Sequence, residues 1–250
     1  MGPEIKNVSG QDDVRSFFNH VAREYKDQHG SPKKLLEYRL SLICKLLGSC
    51  KKNSLLEVGC GTGIHLFELA SDFNLVLGTD LSPIMIEKAI QHRKHCANKD
   101  KINLAVDPAE HLSTVSDNQI SVVICIGAFE HMLDKAAVLR QIYRVMEPGG
   151  VFVCLTPNGE YVWYRWIANW LGFNVRHLST DSFLTADQLL DLVQSAGYCR
   201  PEIDYWSFIP KGDVGICVAT FLEVFDKIGK VLRISSFRGG IHFKAVKPVS

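Results

Sequence analysis

At 250 residues and 28.0 kDa, the chain is long enough to bury a sizeable core as one large domain. A hydrophobic fraction of 46% with 22% charged residues argues against wholesale disorder. With 28 basic and 27 acidic side chains, the net charge of +1 argues against a protein that coats nucleic acid, which needs a clustered basic surface.

Two helical patterns open the chain. Val14, Phe17, Phe18, Val21 and Tyr25 share a face over about 11–28, and Leu35, Leu36, Leu40, Ile43, Leu46 and Leu47 do so over about 33–48. From residue 53 the rhythm changes to short apolar strands separated by helices. SLLEV (54–58) precedes a glycine-rich turn and a helix over 63–71, and NLVLGTD (74–80) is followed by Ser82-Pro83, an N-cap and a proline at the first helical position. That helix is expected to reach about 97. Strands follow at 101–106 and at ISVVICI (120–126), then a helix that stops at Pro148-Gly149-Gly150, then VFVCLT (151–156).

Five strand–helix alternations imply parallel strands joined by right-handed crossovers, hence an α/β doubly wound sheet. The alternation then breaks into an aromatic-rich insertion (157–180), a helix at 185–196, a strand near 200–207, a second insertion (208–238) and a closing strand, IHFKAV (241–246).

Eight scattered cysteines include no C-x-x-C pair, so neither a zinc site nor a disulfide framework is expected, and a reducing compartment fits best. The first residues, MGPEIKNVSGQDD, lack the apolar core of a secretory leader, and no apolar run reaches the roughly 18 residues of a membrane span. The expectation is a cytoplasmic protein, soluble or peripheral to a membrane. His92, His95 and Cys96 share a helix with Arg93 and Lys94 and read as a solvated face rather than metal ligands.

The most informative stretch is Leu55-Leu56-Glu57-Val58-Gly59-Cys60-Gly61-Thr62-Gly63. Glycines at alternate positions after a buried strand let backbone approach a ligand where side chains would collide. Asp80, at the end of the next strand, stands where an acid accepts hydrogen bonds from two ribose hydroxyls. The spacing is not the G-x-G-x-x-G of dinucleotide folds, and no P-loop is present. Together these residues describe a nucleoside pocket at the carboxyl edge of the sheet.

At this point the sequence resembles the class I S-adenosylmethionine-dependent methyltransferases. LLEVGCGTG is similar to their first motif, GTDLS (78–82) to the ribose-binding segment and PAEHL (108–112) to the adenine-side segment, with GAFEHM (127–132) and EPGG (147–150) in the family's order. The small-molecule branch that includes the ubiquinone-biosynthesis O-methyltransferases is the most similar, through Glu130-His131 and Thr156-Pro157-Asn158.

The resemblance implies a seven-stranded, mostly parallel Rossmann-like sheet in one domain: a helical cap (1–50), a cofactor core (51–156), and two insertions shaping an acceptor site. It implies S-adenosylmethionine as cofactor, S-adenosylhomocysteine as product, and no metal. Gly59, Cys60 and Gly61 would pass the backbone against the cofactor's methionine part, and Glu57 would orient its amino group. Asp80 would hold the ribose and Leu81 pack on adenine, which Ala109 and Glu110 would border. Ile126 would floor the site near the sulfonium, and Arg39 would reach the cofactor carboxylate. The usual Asp-Ala-Glu of the adenine segment is Pro108-Ala109-Glu110 here, so either Asp107 turns inward or Ala109 backbone contacts suffice.

His131 reads as a general base or as a capping or substrate-positioning residue, and Tyr25 as a lid or a core residue. Trp163, Trp166 and Trp170 fall at i, i+3 and i+7, which describes a buried helix face, a substrate wall or an interfacial belt. Val218, Phe221, Leu222, Phe225, Ile228 and Leu232 form a second stripe, with six basic residues and no acid after Asp226. Such a helix lies on an anionic bilayer, covers the sheet or makes a homodimer contact. The function expected is methyl transfer to a small-molecule or lipid-like acceptor, with oxygen favoured. The alternatives are a protein or RNA methyltransferase and a cofactor-binding pseudoenzyme subunit.

Overall fold

A computed structural model describes residues 6–24, 32–208 and 216–249. Helices α1 (Gln11–Glu24) and α2 (Pro32–Leu47) precede β1 (Ser54–Val58), α3 (Ile64–Leu69), β2 (Leu75–Asp80), α4 (Pro83–Arg93) and β3 (Ile102–Val106). Then come β4 (Ile120–Ile126), α5 (Lys135–Val145) and β5 (Met146–Pro157). A π-helical turn, Trp163–Ile167, runs into the single turn α6 (Ala168–Trp170), followed by α7 (Ala186–Ser195), β6 (Cys199–Trp206), α8 (Ile216–Leu232) and β7 (Gly240–Val246).

The seven strands form one sheet in the order β3-β2-β1-β4-β5-β7-β6. β3, β2, β1, β4 and β5 run parallel, while β7 is antiparallel to both β5 and β6. Alternate side chains of the central strands go to opposite faces, as the period of two requires. Leu56, Val58, Val123, Cys125, Phe152 and Cys154 join the core beneath α5 and α7, while Leu55, Val122, Ile124, Val153 and Leu155 join the core beneath α2 and α3. Every residue of β4 is buried, Ser121 included, which explains the apolar run over Val122–Ile126.

The structure departs locally from the sequence pattern. α4 stops at Arg93, because tight i→i+3 bonds from His95 to His92 and from Cys96 to Arg93 replace the helical ladder. The Arg93 guanidinium meanwhile donates to the Ile102 carbonyl (2.8 Å) and ties this turn to β3. β5 begins at Met146, before the glycine pair, since Gly149 donates to the Lys247 carbonyl and Lys247 donates back to Gly150. The three tryptophans do not form one buried face. Trp163 is 1% exposed, but Trp166 is 68% and Trp170 84% exposed, because the wider π turn breaks the 3.6-residue register that would align them. The α8 stripe likewise divides: Leu222 is buried, whereas Phe221, Ile228 and Leu232 face outward. Tyr25 lies outside the described residues, as do 209–215 of the second insertion.

Ser82 joins local and tertiary structure. Its hydroxyl accepts from the Met85 amide (3.1 Å) as the N-cap of α4 and donates to Asn19 Oδ1 of α1 (2.7 Å), fully buried. Ser82→Ala removes the cap and leaves Asn19 without this donor, so it should cost about 1–2 kcal/mol. Urea unfolding would show a lower midpoint with an unchanged slope.

Candidate active site

β1 lies between β2 and β4, so the chain leaves β1 toward one side of the sheet and leaves β4 toward the other. The crevice that opens at the carboxyl ends of such diverging strands is where doubly wound sheets bind ligands. The two loops touch: a Cβ on Gly59 would stand 2.5 Å from Cβ of Ala128, so only glycine fits there, and its φ is +71°. Gly61, at φ +54°, faces open space within 4 Å, leaving its backbone bare to the cavity.

That cavity has a volume of about 810 Å³. Arg39, Glu57, Gly59, Cys60, Gly61, Asp80, Leu81, Ala109, Glu110, Ile126 and His131 all line it. Asp80 is clamped by backbone: Oδ2 accepts from the Gly61 amide (2.9 Å) and Oδ1 from the Ser82 amide (2.8 Å). Burial, assisted by the Glu57 charge, raises its pKa despite these bonds. The buried Cys60 thiol is held far above its usual range by burial and by the Asp80 and Glu57 charges, so it acts as a small apolar filler. Glu57 Oε1 lies 3.1 Å from His65 Nδ1, and Glu57 Oε2 and His65 Nε2 are buried without partners. Both residues line the cavity.

Arg39 stacks on Trp206, its guanidinium carbon 5.6 Å from the ring centroid. Glu110 accepts from Gln11 Nε2 of α1 (2.8 Å), which draws the cap helix across this end of the cavity. Asp107 is buried and lines the cavity, with Oδ2 accepting both the amide and the hydroxyl of Thr114 (2.7 Å each).

The opposite half of the cavity is built from the loop after β4 and the first insertion. His131 Nδ1 is 2.7 Å from Asp181 Oδ1, and the Asp181 side chain is wholly buried. Asp181 Oδ2 accepts the His177 and Leu178 amides (2.9 and 3.0 Å), which fixes the carboxylate before it meets the imidazole. With the proton on Nδ1 donated to Asp181, the His131 lone pair sits on Nε2. Glu130, also lining the cavity, accepts from the Thr156 hydroxyl (3.1 Å). Asn158 ties the two insertions to the sheet by donating to the Ser235 and Arg238 carbonyls (2.9 and 2.8 Å). No group of three His, Cys, Asp or Glu side chains suited to a metal occurs among the described residues.

Residues 28–199 match the model of a family described as a methyltransferase domain. The chain belongs to the methyltransferase domain family. It is 29% identical over 153 residues to the ubiquinone biosynthesis O-methyltransferase of Psychrobacter arcticus, covering 59% of this chain and 60% of that protein. The matches thus span about 60% of the length of this and similar curated relatives. Among solved structures, the [4+2]-cyclase SpnF superposes with a TM-score of 0.70 at 17% identity, covering 99% of this chain and all of that one. A phosphoethanolamine N-methyltransferase 2 from Haemonchus contortus, in complex with S-adenosyl-L-methionine, gives 0.65 at 18% identity, covering 96% and 60%. At these identities the likeness is one of fold.

For this methyltransferase-domain chain, sequence reasoning missed His65 and Asp181. Nothing marks Asp181 in the sequence, because it lies 50 residues from His131 in a segment without regular structure. His65 carried a weak signal, an imidazole in the first helical turn after the glycine loop. Burial works against the His131 cation, but the Asp181 hydrogen bond, with the Glu130 and Asp181 charges, outweighs it and raises the pKa. Asp181 is lowered: burial opposes its charge, but the His131 bond and charge and the two amides prevail.

A raised histidine stabilises the fold below its unfolded value and loses that contribution as pH climbs through the folded pKa. A lowered aspartate stabilises above its unfolded value and loses that contribution as pH falls through the folded pKa. The pair therefore stabilises most between the ordinary values of 3.8 and 6.5. NMR titration of the His131 ring should give a pKa above 6.5, and Asp181→Asn should lower it.

Proposed function

We propose that this chain is an S-adenosylmethionine-dependent methyltransferase that methylates an oxygen of a small-molecule or lipid-like acceptor. The observation that carries the reading is one cavity with two unlike halves: a glycine loop facing a backbone-clamped acid, and a histidine–aspartate pair. The cofactor half fits the group it would hold. Gly61 leaves room for a ligand against bare backbone, and the partnerless Glu57 Oε2 suits the amino group of a methionine moiety. Asp80 keeps lone pairs for two ribose hydroxyls, Leu81, Ala109 and Glu110 border the adenine, Ile126 floors the site, and Arg39 reaches the carboxylate. Asp107 has one oxygen not engaged by Thr114 to accept from the adenine amino group.

When bound, the cofactor supplies an electrophilic methyl group on sulfur. The protein positions an acceptor oxygen against it and removes the hydroxyl proton. His131 Nε2 takes that proton, and Asp181 holds the ring in the tautomer that leaves Nε2 basic and then stabilises the imidazolium. Phe17 and Phe18 of α1, with Trp163, Tyr164 and Phe173 of the first insertion, exclude water from the acceptor half. The division into a cap (1–50), a cofactor core (51–156) and two acceptor-shaping insertions (157–180 and 208–238) belongs to this reading. So does a cytoplasmic location, which eight free thiols suit. The names of the curated relatives support an oxygen acceptor.

Calorimetry with S-adenosylhomocysteine tests the cofactor half. The wild type should bind, and Asp80→Ala, by losing a charged acceptor of two hydroxyls, should weaken binding at least about 30-fold, or about 2 kcal/mol. Equal affinities, or no binding by either protein, would sink the assignment. His131→Ala should retain that affinity and lower kcat about 10²- to 10⁴-fold on a hydroxylated acceptor.

A further inference from the structure

Thirteen large apolar side chains are exposed among the described residues, and eight of them lie on two elements in contact with each other. The first is the Trp163–Trp170 segment and the turn after it, where Trp166, Trp170 and Leu171 face outward. The second is α8. Its inner side, Ala219 and Leu222, is buried, with Leu222 in one cluster with Tyr161, Trp163 and Ala168. Its outer side carries Phe221, Val224, Ile228 and Val231, a stripe at i, i+3, i+7 and i+10, continued by Leu232. A helix needs only one apolar face to pack, and this second stripe is left 40–80% exposed.

The charges of α8 indicate what covers it. Lys227 and Lys230 are exposed and both line the cavity, so the helix that bears the stripe also forms part of the cavity rim. Arg233 follows, also exposed. The acids of the helix are drawn inward: Asp226 is buried against Arg238 (3.0 Å) and Ser207, and Glu223 is half-buried at the cavity. A second copy of this chain packed symmetrically on the stripe would bring like cations together. An anionic lipid surface accepts the apolar stripe, the half-wet tryptophans and the cations at once. No described helix is long and apolar enough to cross a membrane.

We propose that α8 and the Trp163–Trp170 segment dock this protein on an anionic bilayer surface, so that the cavity rim faces the lipid phase and an apolar acceptor enters from it. The entry role rests on the reading of that cavity as an acceptor site, whereas the docking does not.

The test uses the full chain with sedimented vesicles of phosphatidylcholine alone or mixed with phosphatidylglycerol. Mixed vesicles should bind at least about tenfold more tightly, with a blue shift in tryptophan emission and weakening by salt. The double variant Trp170→Ser, Val231→Ser, altered at side chains 84% and 80% exposed, should bind S-adenosylhomocysteine like the wild type and lose most vesicle binding. Equal partitioning to both vesicles, no binding to either, or wild-type binding by the double variant would overturn the proposal. So would light scattering that shows a dimer in solution which the double variant dissolves. Vesicle binding by a protein that fails to bind S-adenosylhomocysteine would keep the docking and discard the cofactor reading.

Discussion

The close approach of the loops after β1 and β4 is the constraint on which the site depends. Two parallel neighbours whose connections leave in opposite directions cannot cover their own carboxyl ends, and the crevice between them is filled by loop backbone or by a ligand. Here the loops touch at Gly59 and Ala128, which brings Glu57 and Asp80 on one side within the same cavity as Glu130 and His131 on the other. A side chain at residue 59 would push the loops apart and separate the halves. The glycine is therefore a distance constraint between two chemistries as much as a backbone permission.

The two halves of the cavity are held by different physics. Asp80 is fixed by amides of its own neighbourhood, Gly61 and Ser82, so its geometry is settled as soon as β1 and β2 pair. His131 depends on Asp181, which reaches it from the residue just after the first insertion, and that segment is itself stitched down. Lys6 and His177 bond through the backbone, Ser179 donates back to Lys6, and Ser182 donates to the Glu130 carbonyl. This half of the cavity is thus covered by a segment bonded both to Lys6 and to the loop after β4.

How far the sequence foretold this follows the same division. The central sheet was legible because Val122–Ile126 of β4 and Val151–Leu155 of β5 are buried on both faces and so read as short unbroken apolar runs between glycine and capping signals. The glycine loop and Asp80 were legible because they act within a few residues of their own strands. The His131–Asp181 pair was half legible, since its second member is defined by a tertiary contact that no periodicity encodes. Trp163, Trp166 and Trp170 misled for a related reason: spacing assigns faces only if the helix keeps its period, and the π turn at Trp163–Ile167 does not. In α8 the six apolar positions divide between a buried side with Leu222 and an outer side with Phe221, Ile228 and Leu232, because helical spacing does not say which positions meet the core and which meet solvent.

Net charge shows the same limit in another quantity. The +1 of the whole chain combines −5 over residues 1–226 with +6 over residues 227–250, and the structure divides that +6 again. Arg238 is buried against Asp226, and Lys247 donates to Asn118 Oδ1 and to the Tyr143 and Met146 carbonyls, with burial lowering its pKa. Lys244 lies 3.7 Å from Glu202. These three cations serve the fold, closing the second insertion and anchoring the end of β7. That leaves Lys227, Lys230 and Arg233, at the cavity rim and the end of α8, as the part of the basic tail turned outward. A charge imbalance read along a sequence becomes a statement about partners only after the cations spent on internal carbonyls and carboxylates are removed. Here that subtraction concentrates the remainder beside the exposed apolar face of α8.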